Sequence, residues 1–236
     1  MEACLNKYPE VHHKMTYENS REKSERNIEK ESDYHLELRN VSLYQKKKCI
    51  RSSVNISIER GKVVGVIGHN GVGKTTLLRT IAGLHKNYTG EILVDNILQN
   101  SRSLKKKSYM VMQDVNYQLF AESVIRECTL GLKKNDIKSE EELKSVLERV
   151  GLWECRDRHP NTLSGGQKQR LTVAVSMVYD KDIILFDEPT SGLDKNNMNR
   201  IIEIINVLKE RGKYVLVVSH DNEFMNKCCD EIFKME

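Results

Sequence analysis

The residues Gly68-His69-Asn70-Gly71-Val72-Gly73-Lys74-Thr75 have the spacing G-x-x-x-x-G-K-[ST]. They lie between an apolar run, Lys62 to Ile67, and a segment of helical periodicity, Lys74 to Leu84. Glycines let such a backbone turn so that its N–H groups face inward around phosphate oxygens. Lys74 then reaches the β- and γ-phosphates, Thr75 offers its hydroxyl to Mg²⁺, and the helix start adds a positive dipole end. The residues expected to hold phosphate run from Asn70 through Gly71, Gly73, Lys74 and Thr75 to Thr76.

A second constellation is Asp182-Ile183-Ile184-Leu185-Phe186-Asp187-Glu188, an apolar strand that ends in two carboxylates. Asp187 stands where a Mg²⁺-linked water needs an anion. Glu188, one residue on, is directed elsewhere and can polarise an attacking water. A third is Leu163-Ser164-Gly165-Gly166-Gln167. Ser-Gly-Gly at a helix start presents a hydroxyl and bare amides at a dipole end, which makes a second anion-binding device. With two such devices in one chain, one is expected to grip a nucleotide and the other to close over the nucleotide of a partner.

With the phosphate loop, the acidic strand and LSGGQ in this order, the chain resembles the ABC ATPase family over about residues 36–236. The resemblance implies ATP as ligand, Mg²⁺ as its companion, and a head-to-tail dimer with a second ABC ATPase subunit. It implies that Tyr44 stacks on adenine and that Gln113 is the lid glutamine, touching Mg²⁺ and water and coupling the site to integral membrane subunits. It implies that Ser191-Gly192-Leu193-Asp194 is the dimer-crossing loop and that His220 is the switch histidine, holding the γ-phosphate. Gln167 and Asp194 enter the nucleotide-binding set the same way. Glu188 and His220 are both the competent residues, so hydrolysis is expected rather than binding alone.

These groups need a scaffold, and the pattern supplies one. Leu36 to Leu43 and Val54 to Ile58 alternate as half-buried strands, and Glu91 to Val94 and Ser108 to Met112 read as further strands. The stretch 116–177 is mainly helical. Within it Ser139 and Glu142 form a capping box ahead of Leu143, Val146, Leu147 and Val150, and Gly151 closes that helix. Ile183 to Asp187 and Tyr214 to Ser219 are fully apolar strands that flank a helix from Met198 to Leu208. Buried strands alternating with helices imply a parallel sheet covered on both faces. The expected fold is α/β: a P-loop NTPase core with a mainly parallel sheet, an N-terminal antiparallel β-subdomain and an inserted helical subdomain.

Residues 1–33 are polar, slightly acidic and aperiodic, and read as a flexible arm or linker before a domain spanning 34–236. The formal net charge of +4 among 38 basic and 34 acidic side chains gives no clustered basic face, so nucleic acid is not an expected partner. Lys46 to Lys48 and Lys105 to Lys107 read as solvated turns. The six cysteines lack zinc spacing, and vicinal Cys228-Cys229 is a poor disulfide pair, which suits reduced thiols. No run approaches ~18 apolar residues, so any membrane pore belongs to another chain. The expected location is cytoplasmic, peripheral on the membrane's cytoplasmic face.

The wording Gly68-His69-Asn70-Gly71 and the segment Met112 to Phe120 are similar to the ATPases of energy-coupling factor importers, which take up vitamins and metal ions. The polar arm and the stop at Glu236 depart from that pattern and would suit one half of a tandem ATPase. Two other readings stand beside it: a soluble ABC ATPase not tied to transport, and an ATP-dependent dimerisation module without turnover. The short interval between Thr76 and Leu163 leaves no room for the long coiled coil of chromosome and repair members.

Overall fold

The computed structural model describes residues 35–132 and 139–236; the polar arm 1–33 lies outside the described residues. Strand β1 (His35–Gln45) turns at Lys46, which takes φ 55°, and returns antiparallel as β2 (Lys48–Glu59). Leu36 faces Ile58 and Leu38 faces Ile56, so the alternating apolar side chains share one buried face. Asn40, at φ 50°, shifts the register, and its N–H donates to Asn55 Oδ1 at 2.8 Å. Strand β4 (Tyr88–Val94) pairs with β1, and β5 (Ile97–Leu98) returns on it through Asp95 and Asn96, both at positive φ. This antiparallel sheet has the order β2-β1-β4-β5.

The second sheet is parallel. It consists of β3 (Val63–Ile67), β6 (Ser108–Val111), β7 (Ile183–Asp187), β8 (Tyr214–Val218) and β9 (Glu231–Lys234), in the order β6-β7-β8-β3-β9. Its apolar strands serve two cores. Ile184, Phe186, Val215 and Val217 pack into one with helices α4 (Glu140–Arg149), α5 (Gly165–Tyr179) and α6 (Lys195–Glu210). Ile183, Leu185, Leu216 and Val218 enter the other with α1 (Lys74–Ile81) and the antiparallel sheet. Burial on both faces is why these strands show no polar alternation. Between β6 and β7 the chain inserts α3 (Val124–Thr129), α4 and α5. Among the described residues no helix is long and apolar enough to cross a membrane.

Three local expectations need correction. Lys105 to Lys107 are not a turn but the last turn of α2 (Ser101–Lys107), a helix capped by Asn100, which accepts from Ser103 N–H at 2.9 Å. Their charges lie at the negative end of that helix. Helix α1 stops at Ile81, short of Leu84, because Gly83 takes φ 69° and a side chain there would meet the Ser101 carbonyl. Beyond β8, a helix α7 (Asn222–Cys228) and strand β9 were not foreseen; β9 pairs in parallel with β3.

Candidate nucleotide site

The loop after β3 holds Gly68, Gly71 and Gly73 at φ 155°, 83° and 105°, conformations open to glycine. At Gly68 close approach adds a second reason, since a Cβ there would lie 2.5 Å from the Met235 carbonyl oxygen. Helix α1 begins at Gly73 with no side-chain cap and no acidic residue in its first turn, so its leading N–H groups stay available to an anion. Lys74 is 8% exposed, and its Nζ donates to the carbonyls of Gly68 at 2.7 Å and His69 at 3.1 Å. The loop's own carbonyl oxygens thus hold the ammonium. Burial pushes the Lys74 pKa down, against the pull of the Glu188 and Asp187 charges.

Thr75 Oγ1 donates to Asp187 Oδ1 at 3.2 Å, which joins the start of α1 to the carboxyl end of β7. Asp187 is 4% exposed, and burial raises its pKa, with the Thr75 hydrogen bond and the Arg79 and Lys74 charges opposing. One carboxylate and one hydroxyl, both hard oxygens beside a phosphate cradle, suit Mg²⁺, which usually completes its shell with water and substrate oxygens. Among the described residues no cluster of three His, Cys, Asp or Glu side chains could hold a metal alone.

Glu188 departs from its neighbours in backbone. It takes φ 51°, a strained choice for a side chain of this size, and its N–H donates to the Val218 carbonyl at 2.8 Å. That turn points its carboxylate to the end of β8. There Oε2 accepts from the His220 N–H at 3.3 Å, and Oε1 lies 3.4 Å from His220 Nε2. The His220 side chain is mostly exposed and Glu188's mostly buried. Lys74, Thr75, Asp187, Glu188 and His220 therefore gather at the carboxyl ends of β3, β7 and β8, where ligands of parallel sheets bind.

Tyr44 sits half-buried near the end of β1, and its N–H donates to the Asn87 carbonyl at 3.0 Å. His85, absent from the sequence-based site, braces it: Nε2 lies 2.9 Å from the Tyr44 carbonyl and 3.1 Å from that of Asn87. Two acceptors require the proton on Nε2. No spacing or motif marked His85.

A separate cleft of about 370 Å³ brings Gln113, from the loop after β6, to Gly165 and Gly166 at the start of α5 and to Ser191 and Gly192. Lys74, Thr75 and Asp187 do not line it. Ser164 caps α5 reciprocally: its Oγ accepts from Gln167 N–H at 3.3 Å, and Gln167 Oε1 accepts from Ser164 N–H at 2.9 Å. The motif's serine oxygen and its glutamine are thus engaged in the cap, while a side chain at Gly165 would meet nothing within 4 Å. Asp194 caps α6, accepting at 2.8 Å from both N–H and Nδ2 of Asn197. Asn197 Oδ1 in turn accepts from Arg170, whose Nε donates to the Val150 carbonyl at 2.9 Å. Arg170 and Asn197 tie α5 to the Asp194 loop, and sequence reasoning passed over both.

The model of the ABC transporter family matches residues 52–191, and the chain belongs to that family, whose members hydrolyse ATP to drive transport. It is 43% identical over 78% of its length to an ABC transporter ATP-binding protein of Treponema denticola, covering 37% of that protein. It is 34% identical over 84% of its length to the glutamate/aspartate import ATP-binding protein GltL of Escherichia coli, covering 86% of it. The structure of cbiO1 from Clostridium perfringens, part of the ABC transporter complex cbiONQ, superposes with a TM-score of 0.75 at 29% identity, over 87% of this chain and 86% of that one. The chain spans little more than a third of the length of the Treponema relative.

Proposed function

We propose that this chain is the ATP-hydrolysing part of an energy-coupling factor type importer for vitamins or metal ions, working at the cytoplasmic face of the membrane beside integral membrane subunits. The observation that carries the hydrolytic reading is the pair Glu188 and His220 at 3.4 Å, next to the Thr75–Asp187 contact at 3.2 Å. The likeness to cbiO1 and the 34% identity to YkoD of Bacillus subtilis, assigned to HMP/thiamine import, support the importer class.

In this reading adenine stacks on Tyr44, and the loop from Asn70 to Thr76 wraps the phosphates. Lys74 leaves the Gly68 and His69 carbonyls for the β- and γ-phosphate oxygens, exchanging two weak dipole contacts for an anion. Thr75 and Asp187 would hold Mg²⁺, joined by Gln113 once the loop after β6 brings it in from its own cleft, and the ion would supply charge neutralisation to the phosphates. Glu188 accepts a proton from the attacking water, while His220 donates to the γ-phosphoryl oxygen; the work is positioning and electrostatics. Ser164, Gly165 and Gly166 of a second ABC ATPase domain cover the γ-phosphate, with Gln167 and Asp194 holding the helix starts on either side.

Steady-state phosphate release from purified chain tests hydrolysis, with a measurable Mg²⁺-dependent rate expected. No release at any protein concentration, with ATP still bound, would leave only an ATP-dependent dimerisation module. Co-purification of membrane subunits from detergent extracts tests the importer class.

A further inference from the structure

Three sulfur atoms meet outside the nucleotide site. Cys228 Sγ lies 3.5 Å from Cys229 Sγ, and the Cys229 thiol lies 3.8 Å from Met225 Sδ. They sit at the end of α7 against the middle of β3, where residue 65 is glycine. A Cβ on Gly65 would come within 2.4 Å of Met225 Cε and 2.9 Å of Cys229 Sγ, so the strand gives up a side chain where the sulfurs pack. Cys228 is 4% exposed, and Cys229 is half-buried and forms the open side of the group.

The pair is badly placed to join with itself. Neighbouring Cα atoms are about 3.8 Å apart, below the range of roughly 4.4–6.8 Å that disulfides take. One atom inserted between the sulfurs removes that conflict. An atom bonded to both at about 2.3 Å, with an angle between a right angle and tetrahedral, spans about 3.3–3.8 Å, a range that includes the separation found. A linear two-coordinate ion would need about 4.6 Å on the same bond length. Zinc in structural sites takes four ligands, and among the described residues no group of three His, Cys, Asp or Glu is arranged to hold a metal ion. A monovalent ion on two thiolates leaves a net negative charge in apolar surroundings, which is costly. The Cys228 thiol and burial push the Cys229 thiol far up, so this pocket resists thiolate charge and favours a ligand whose adduct is neutral.

We propose that Cys228 and Cys229, with Met225 beside them, form a chelating site for trivalent arsenic or antimony hydroxides and their organic derivatives. The step balances without redox: As(OH)3 and two thiols give (RS)2AsOH and two waters. Two As–O and two S–H bonds break, and two As–S and two O–H bonds form. The product carries no charge, as the pocket requires.

The probe is phenylarsine oxide, added to the full chain under native conditions. One arsenical per chain is expected by intact-mass measurement, with two free thiols lost, resistance to a monothiol and reversal by a small dithiol. Cys228→Ser and Cys229→Ser should each weaken binding at least tenfold while Cys49→Ser does not, with melting curves recorded for all three. Digestion of the wild-type adduct should place the arsenical on the peptide holding residues 228 and 229, which decides the matter even if a variant misfolds. Full-strength binding by both variants, an adduct mapped elsewhere, or uptake only by the urea-unfolded chain would each overturn the proposal.

Discussion

Glu188 Oε1 and His220 Nε2 lie 3.4 Å apart although 31 residues separate them in the chain, and the contact exists because β7 and β8 are adjacent parallel strands. The Glu188 N–H also donates to the Val218 carbonyl, so the turn that aims the carboxylate is anchored to the strand that ends at the histidine. Glu188→Gln is expected to keep ATP binding and lower turnover by ~10²–10⁴, the usual cost of losing a general base. Turnover near wild type would remove Glu188 from that role.

Lys74→Ala should abolish nucleotide binding at micromolar ATP and with it ATP-dependent dimerisation. The fold should survive, because among the described residues the Lys74 side chain bonds to the loop carbonyls of Gly68 and His69 and to no other element. Titration with a fluorescent ATP analogue reads the first effect and thermal melting the second. Unchanged affinity would place the phosphates elsewhere.

Asp187 yields a prediction on pH. Its folded-state pKa lies above the ordinary 3.8 because of burial, so the folded chain holds that proton more tightly than the unfolded one. The group's contribution is therefore fully favourable below pH 3.8 and is lost as pH rises through the folded value. At neutral pH the buried charge costs stability. Asp187→Asn, still able to accept from Thr75, should raise the melting temperature of the nucleotide-free chain at pH 7, with the gain shrinking toward pH 3. The same variant should lose Mg²⁺-dependent turnover. An equal or lower melting temperature at pH 7 would count against the burial argument.

The separation of the Gly165–Gly166 cleft from the Lys74–Asp187 cluster implies a composite site. Ser164→Arg should bind ATP yet turn over at least a hundredfold slower, since it places bulk and positive charge at a helix start suited to an anion. Mixing it with Lys74→Ala should restore at most one working site per dimer. Full activity of a strictly monomeric preparation, checked by light scattering at the assay concentration, would sink the composite reading.

The phosphate loop, the acidic strand and the capped start of α4 were legible in the sequence because each is a local device. A glycine at a left-handed turn, a serine three residues before glutamate, and an apolar run ending in aspartate need only near neighbours in the chain; that Ser164 engages its oxygen in a cap with Gln167 appears only in the structure. The two-core sheet was legible too, since strands buried on both faces lose their polar alternation. The α2 helix was missed because lysines at a helix end and lysines in a turn look alike without knowing that Asn100 caps the segment. Strand β9 was missed because four residues, half of them charged, become a strand only by pairing with β3. His85 behind Tyr44, the Arg170–Asn197 tie and the distance from Glu188 to His220 were decided by tertiary structure alone. Each depends on where separate segments land against one another, and hydrogen bonds across such distances leave no periodicity in the chain.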